Sequence, residues 1–222
     1  MKHSKLLFIC LSIFVLTGCE GEDPIPPDSD MPDIFGIFSE RPDGVKLDID
    51  SYLGVSFGGG GNFVPNIDAG FIDDENELKE GSKSKRSSVN VGSSGDWALW
   101  FVQNGLEGTS DSKVKDMSEY SKGSLKFWVK CEPKAQDLLI KIRSGNVDAG
   151  TETSIVNLSN YGLILDNNWH DYKISISDFE GAKPKADLSQ IKVFFVIGCS
   201  SGDTGGTDGD ATFWVDDVRW VK

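Results

Sequence analysis

Two neighbouring runs within “SLKFWVKCEPKAQDLLIKIRS”, residues 124–144, indicate the fold class. In the first run, Leu125, Phe127 and Val129 alternate with polar or amphipathic residues. Successive residues of a β-strand point to opposite faces, so this alternation predicts a strand with one face in a hydrophobic core. The second run repeats the pattern after an intervening segment. Its predicted core-facing row is Leu138, Ile140 and Ile142.

Similar short runs, apolar or alternating, continue along most of the chain. They are separated by turn-forming Gly, Asn, Asp and Ser, as in “FGGGGN” (57–62) and “RSGNVDAG” (143–150). Many short strands with turn signals predict an all-β sandwich or barrel. The predicted strands cover residues 33–40, 45–50, 87–92, 96–103, 124–131, 137–144, 153–159, 170–177, 191–198 and 211–220.

The N-terminus has the features of a signal peptide. Lys2 and Lys5 precede and flank an apolar run, Leu6–Leu16, that is short for a membrane span. The run ends in “LTGC”, which resembles the lipobox of bacterial lipoproteins. The resemblance implies that residues 1–18 are removed and that Cys19 carries a lipid anchor. An ordinary secretory signal with a chance cysteine is the alternative.

Residues 19–33 are predicted to form an extended tether. The part after Cys19, “EGEDPIPPDSDMPD”, contains six acids, four prolines and no base. Such a segment cannot bury enough apolar surface to fold and stays solvated. Acidic residues directly after a lipidated cysteine also resemble the export signal of surface lipoproteins in glycan-degrading Gram-negative bacteria. We therefore expect an outer-membrane anchor, exposure at the cell surface, and one folded domain over residues 34–222.

The chain is acidic, with 35 Asp and Glu against 22 Lys and Arg and a formal net charge of −13. This charge repels nucleic acid and anionic lipid, so neither is expected as a partner. Contact with the membrane is expected through the lipid anchor alone.

Four segments, taken together, resemble one family. They are “MSEYSKGSLKFWVKC” (117–131), “DNNWHDYKISISDF” (166–179), “ADLSQIKVFFVIG” (186–198) and “TFWVDDVRW” (212–220). In order and spacing they are similar to segments of galactose-binding-like jelly-roll carbohydrate-binding modules, which accompany polysaccharide-degrading systems. The resemblance implies a β-sandwich, jelly roll in topology, with a carbohydrate ligand.

The resemblance also implies where the glycan lies. By the family's strand order, the runs at 96–101, 137–142, 153–158 and 193–198 share the sheet whose outer face forms the glycan groove. Pyranose faces pack on aromatic rings, and planar polar side chains bind the hydroxyls. The candidate glycan-binding residues are Trp97, Trp100, Gln103, Lys141, Arg143 and Phe194.

Some of these candidates have alternatives. Only one of Trp97 and Trp100 can face outward on a regular strand, and Trp100 is favoured, although either ring could instead fill the core. Lys141 and Arg143 are expected to be exposed. A basic pair in an acidic protein favours an anionic or uronic-acid ligand, whereas the alternative is a merely solvated strand face.

Two aspartates, Asp216 and Asp217, interrupt the strand predicted at the C-terminus. Strand alternation places Asp216 on one face with Val218 and two tryptophans, and this face is the expected core. Asp217 is expected to be exposed and paired with Arg219. A buried carboxylate is costly unless a partner satisfies it.

The resemblance implies a calcium ion as that partner. In the family, the first Asp of this motif ligates a structural Ca²⁺ together with groups of the first strand. Ca²⁺ takes about six to eight oxygen ligands. Asp216 and Glu40 are therefore the candidate metal ligands. The alternative for Asp216 is a carboxylate satisfied by backbone N–H groups without a metal.

No residue pattern indicates catalysis. After removal of residues 1–18, His170 is the only histidine, which excludes a zinc site with several histidines. Cys131 and Cys199 could be bridged outside the cytoplasm. We predict a non-catalytic protein that captures a polysaccharide or oligosaccharide for glycan-degrading or transport partners. A jelly-roll polysaccharide lyase or glycoside hydrolase and a structural envelope lipoprotein are the alternatives.

Overall fold

The computed structural model of the protein describes residues 33–39, 45–46, 52–60, 72–90, 96–104, 114–133, 137–145, 152–181, 185–200 and 210–222. These residues belong to one compact unit, Pro32–Lys222. The predicted signal peptide, Cys19, Glu40 and nearly all of the predicted tether lie outside the described residues.

Within the described residues, twelve strands form two sheets. The seven-stranded sheet contains β1 (Ile34–Phe38), β2 (Val45–Lys46), β4 (Ile72–Asp74), β5 (Ser84–Asn90), β7 (Ser124–Cys131), β10 (Trp169–Ser175) and β12 (Asp210–Val221). The five-stranded sheet contains β3 (Tyr52–Gly60), β6 (Asp96–Asn104), β8 (Leu139–Ser144), β9 (Glu152–Asn157) and β11 (Ile191–Ser200).

The order of the strands confirms the predicted all-β, jelly-roll sandwich. The five-stranded sheet runs β3-β6-β11-β8-β9, and the main path of the other sheet runs β10-β7-β12-β1-β2. In the second sheet, β5 also pairs with β12, and β4 pairs with β5. The predicted partition is confirmed, since β6, β8, β9 and β11 share one sheet and β7 and β12 the other.

Helices in the described part of the chain are short. One α-helix, α1, covers Ile176–Gly181, and 3-10 turns cover Ser118–Tyr120, Leu158–Tyr161 and Leu188–Gln190. None of the helices in these residues has the length and apolar character that crossing a membrane requires.

The core lies between the inner faces of the two sheets. The ring of Phe127 on β7 packs against that of Phe195 on β11, with centroids 5.3 Å apart. Complete burial of one such apolar side chain contributes about 1.5–3 kcal/mol to folding. The predicted core rows are confirmed, with no member more than 1% exposed: Leu125, Phe127, Val129, Leu138, Ile140 and Ile142.

Strand β3 was not expected from the sequence, because its end lies in the glycine-rich stretch that resembles a turn. Every residue of β3 is nevertheless paired with β6, from Tyr52 opposite Asn104 to Gly60 opposite Asp96. Glycine weakens a strand by its flexibility but does not prevent backbone pairing. An adjacent strand can therefore hold this segment extended even though its own propensity is low.

Strand β12 is central to the seven-stranded sheet and is irregular. One of its edges pairs with β7, while the other pairs with β5 along its first half and with β1 along its second half. The register against β7 shifts between Asp216 and Arg219, and Asp217 has a φ of 49°. Such a bulge inserts an extra residue into the strand and interrupts the alternation of faces.

The bulge corrects the predicted faces of β12. Trp220 is opposite Leu125 and lies in the core, as predicted. Asp216, in contrast, is opposite Trp128, which alternates with the core residues of β7, so the prediction that Asp216 shares the core face is wrong. The prediction that Asp217 is exposed is also wrong, because its side chain is fully buried.

Candidate functional site

The backbone register defines the outer face of the five-stranded sheet, called here the five-strand face. Directly opposed positions on antiparallel strands share a side of the sheet. Ile140 and Ile197 are opposed and fully buried, so the alternate positions belong to the outer side. These positions are Leu53, Val55, Phe57, Gly59, Trp97, Leu99, Phe101, Gln103, Leu139, Lys141, Arg143, Thr153, Ile155, Asn157, Val193, Val196, Gly198 and Ser200.

The register brings three predicted polar residues into adjacent rows of this face. Gln103 on β6 and Arg143 on β8 are both opposite Val193 on the intervening strand β11. Strand spacing places these two positions roughly 10 Å apart. Lys141 occupies the next outer row, about 7 Å along β8 from Arg143. Lys141 and Arg143 are half-buried.

The register also bears on the two tryptophans of β6. Trp100 is opposite Ile197, which is fully buried, whereas Trp97 is opposite Ser200, an outer position. The side chains of Trp97, Trp100 and Gln103 lie outside the part that the structure describes. The register therefore favours Trp97 for the outer face, which is the reverse of the preference from sequence.

The prediction that Phe194 contributes a ring to the groove is wrong. Phe194 is fully buried, and its ring packs against that of Phe35 on β1, with centroids 5.4 Å apart. The register of β11 shifts between Val193 and Phe195, so β11 is bulged there. The bulge lets two consecutive phenylalanines both reach rings of the other sheet, because alternation is interrupted.

One apolar residue on this face was not predicted. Ile155 on β9 is 45% exposed and is opposite Lys141. In the sequence, an isoleucine within a short strand resembles a core residue. Its outward placement follows only from its pairing with β8, where Ile142 and Ser154 form the neighbouring buried pair.

The outer face of the seven-stranded sheet, the seven-strand face, is partly covered by the segment that joins β4 to β5. The Lys79 ammonium lies 3.9 Å from the centroid of the Trp128 ring. The Lys130 ammonium lies 2.6 Å from the Glu77 carboxylate. Charged and aromatic side chains thus hold this segment against the sheet.

Asp74, the last residue of β4, directly precedes the covering segment. The indole N–H of Trp214 donates to its Oδ2 at 3.0 Å, and the Arg86 Nε lies 3.5 Å from the same oxygen. The hydrogen bond from Trp214 is the main cause that lowers the pKa of Asp74 below its ordinary value. The carboxylate is therefore ionised and bound at neutral pH.

Asp216 is buried beneath this segment and binds it through the backbone. Lys79 and Glu80 donate their backbone N–H groups to Asp216 Oδ2 at 3.0 and 2.9 Å. The N–H of Asp217 donates to Oδ1 at 2.7 Å. Oδ2 thus has both of its lone-pair directions occupied by N–H groups, whereas Oδ1 accepts one N–H.

These three hydrogen bonds agree with the backbone-satisfied alternative for Asp216, and the binding of Ca²⁺ by Asp216 and Glu40 stays a prediction. Across the part of the chain that the structure describes, no group of three or more His, Cys, Asp or Glu residues is placed to hold a metal ion. Glu40, the other predicted ligand, lies outside that part.

Asp217 connects the bulge to the N-terminal strand. The Ser39 hydroxyl, just after β1, donates to Asp217 Oδ1 at 2.8 Å. Arg219 contacts Asp217 Oδ2 through Nη1. The predicted pairing of Asp217 with Arg219 is confirmed, but in a buried setting.

His170 is engaged in a turn. Its Nε2 lies 2.7 Å from Asp166 Oδ1, and this hydrogen bond is the main cause that lowers the pKa of Asp166 to about 2. Asp166 also accepts the backbone N–H of Asn168 at 3.0 Å. A carboxylate that hydrogen-bonds groups of its own turn stabilises that turn. Asp166 and His170 therefore have a structural role here.

The sequence leaves open whether Cys131 and Cys199 form a bridge, and the described residues do not test it. Cys131 is fully buried on β7, in the seven-stranded sheet. Cys199 lies on β11 in the five-stranded sheet, and its side chain is outside the described residues.

Comparison with known proteins places this arrangement in context. A family model described as carbohydrate binding domain 30 matches residues 50–222. None of the curated proteins matches the chain.

Solved structures support the same assignment of fold. The crystal structure of a family 30 carbohydrate-binding module has a TM-score of 0.60 and 20% identity, covering 85% of this chain and 87% of its own. The family 30 module of a cellulosomal cellulase from Clostridium thermocellum has a TM-score of 0.59 and 19% identity, covering 85% of this chain and 97% of its own. At these identities the likeness shows the β-sandwich fold.

Proposed function

The chain belongs to the carbohydrate binding domain 30 family, and we propose that it binds polysaccharide on the five-strand face. The observation that carries the choice of face is the register. It gives Gln103, Lys141 and Arg143 adjacent rows and gives Trp97 a position on the same side. Sugar recognition combines aromatic rings with planar polar and cationic groups, and positions of both kinds lie along this face.

The shape of the face supports an extended ligand. Two strands, β6 and β8, contribute the predicted contacts, and Trp97 lies six residues from Gln103 along β6. At about 3.4 Å per residue this separation is roughly 20 Å, several sugar units of an extended chain. Ile155 adds an exposed apolar contact at the β9 edge.

The seven-strand face is a weaker candidate. The segment after β4 lies over it, and its aromatic rings contact cations of the protein, as with Lys79 over Trp128 and Lys130 beside Trp214. Those rings already have partners that a sugar would have to displace.

We further propose that Cys19 anchors the protein to the outer membrane through a lipid. The acidic tether then holds the module away from the anionic surface, so that it captures glycan for degrading enzymes or transporters at the cell surface. The lipobox-like “LTGC” and the acidic segment that follows support this proposal. Radiolabelled lipid incorporation into the wild-type chain, absent from a Cys19→Ala chain, would test the anchor.

The binding proposal is tested with the full chain purified in detergent. Affinity electrophoresis and titration calorimetry over neutral and anionic polysaccharides should give saturable binding to at least one. Release of reducing ends or unsaturated products should stay at background, because carbohydrate-binding modules recognise sugars and do not cleave them. Absence of binding to every glycan would refute the proposal, and product release would favour a lyase or hydrolase.

A further inference from the structure

The sign of charge on the five-strand face differs from that of the whole chain. The protein carries 35 acidic and 22 basic residues. Among the outer positions that the register defines, Lys141 and Arg143 are the charged residues, and none is Asp or Glu. The outer positions of this face therefore carry only basic charged residues, within an acidic protein.

The seven-strand face provides an internal comparison. Its outer positions include Lys126 and Lys130 but also Asp171 and Asp216, and β4 and the covering segment add Asp74 and Glu77. Both signs therefore mix on that face and offset each other. The outer positions of the five-strand face thus differ from those of the seven-strand face in the sign of their charged residues, and basic residues favour an anionic ligand.

The positions of the two cations suit an anionic polymer. Lys141 and Arg143 are two residues apart on β8, so both belong to the same side of the sheet. Arg143 offers a planar fork that matches two oxygens of one carboxylate or sulfate, while Lys141 acts as a point charge. Both side chains are half-buried, which reduces the screening of their charges by salt.

We propose that the polysaccharide bound on the five-strand face carries negatively charged groups, carboxylate or sulfate. This inference rests on the proposed function and specifies the class of ligand. Arg143 binds the anionic group in a bidentate manner, Lys141 adds electrostatic attraction, and Gln103, in the same row as Arg143, hydrogen-bonds sugar hydroxyls.

The test measures the affinity of the full chain for polygalacturonate, for κ-carrageenan, which carries sulfate and no carboxylate, and for a neutral mixed-linkage β-glucan. Titrations are made at about 20 mM and about 300 mM NaCl, where the Debye length changes from roughly 20 Å to below 8 Å. We expect tighter binding to at least one anionic glycan than to the neutral one, and weaker binding at high salt. Comparison of the first two glycans distinguishes carboxylate from sulfate.

Variants assign the effect to these residues. Arg143→Gln should weaken anionic binding about tenfold or more, and Arg143→Lys should restore only part of it, because lysine keeps the charge and loses the fork. Lys141→Gln should weaken it several-fold. Lys173→Gln is the matched control, since Lys173 is an exposed strand lysine in the other sheet.

The outcomes separate the two proposals. Binding to the neutral glucan alone, unchanged by salt and by Arg143→Gln, would overturn the anionic ligand and leave carbohydrate binding intact. Absence of binding to all three and to further glycans would overturn both. Thermal melting of each variant identifies a loss of affinity that comes from unfolding.

Discussion

The backbone N–H of Glu80 donates to Asp216 Oδ2 at 2.9 Å, although 136 residues separate the two in the chain. This contact, with that of Lys79, fastens the segment between β4 and β5 to the central strand of the sheet. The carboxylate thus takes the place of backbone pairing where β12 is bulged. These hydrogen bonds give Asp216 a structural role.

Asp216→Asn should destabilise the protein without metal involvement. An amide NH₂ would face N–H donors, leaving at least one buried donor unsatisfied, so we expect a loss of about 2–4 kcal/mol in the free energy of unfolding. Urea denaturation measures this loss. Asp171→Asn, an exposed aspartate of the same sheet, is the control and should change little.

Thermal melting of the wild-type chain with and without a chelator tests the calcium expectation directly. Because Asp216 is satisfied by three backbone N–H groups, EDTA should leave the melting temperature of the wild-type chain unchanged. A chelator-induced fall that added Ca²⁺ reverses, and that Asp216→Asn abolishes, would instead support the calcium ion expected from the sequence.

Trp97→Ala should weaken glycan binding, whereas Trp100→Ala should lower the stability of the fold. The register pairs Trp100 with the buried Ile197, so Trp100→Ala should lower the free energy of unfolding by about 3–5 kcal/mol. Trp97→Ala should weaken glycan binding about tenfold or more and change stability little, because an outer ring stacks on sugar. Calorimetric titration and thermal melting of both variants would expose an inverted assignment.

The stabilising contact between Trp214 and Asp74 should depend on pH. The folded state lowers the pKa of Asp74, so its contribution is present above the unfolded pKa of about 3.9 and is lost as pH falls through the lower folded value. Trp214→Phe should therefore destabilise the protein more at about pH 7 than at about pH 2. A double-mutant cycle with Asp74→Asn isolates the pair, and a pH-independent coupling would contradict its assignment.

Gly123→Ala should destabilise the start of β7. A Cβ at this position would overlap the backbone oxygen of Val221 on β12, and backbone cannot rotate away as a side chain can. We expect a loss of about 3 kcal/mol. Gly181→Ala is the control, because a Cβ at the end of α1 meets open space, and its effect on urea denaturation should be within about 0.5 kcal/mol.

The features that depend on one strand alone were predictable from the sequence. Alternation identified Leu125, Phe127 and Val129 as core, and the structure confirms them as fully or almost fully buried. A strand's own period determines which of its residues share a face, provided that the strand is regular. The family-like segments then indicated which runs share a sheet.

The sequence predicts the wrong face for a residue where that face depends on how two strands pair. A bulge is defined by how many residues oppose a partner strand, so the positions of Phe194 and Asp216 could not be deduced from their own runs. Likewise, the choice between Trp97 and Trp100 requires the pairing of β6 with β11. Strand β3 was missed because its pairing with β6 outweighs the low strand propensity of its glycines.

Strands β5 and β1 pair with different parts of the same edge of β12. This part of the sheet can therefore form only after β12 is available. Neither of those strands can pair with β12 until residues 210–222 have been synthesised, because β12 is their shared neighbour. Contacts between such distant parts of a chain close late and slowly. The N-terminal portion of the domain therefore stays without its central strand until residues 210–222 are available.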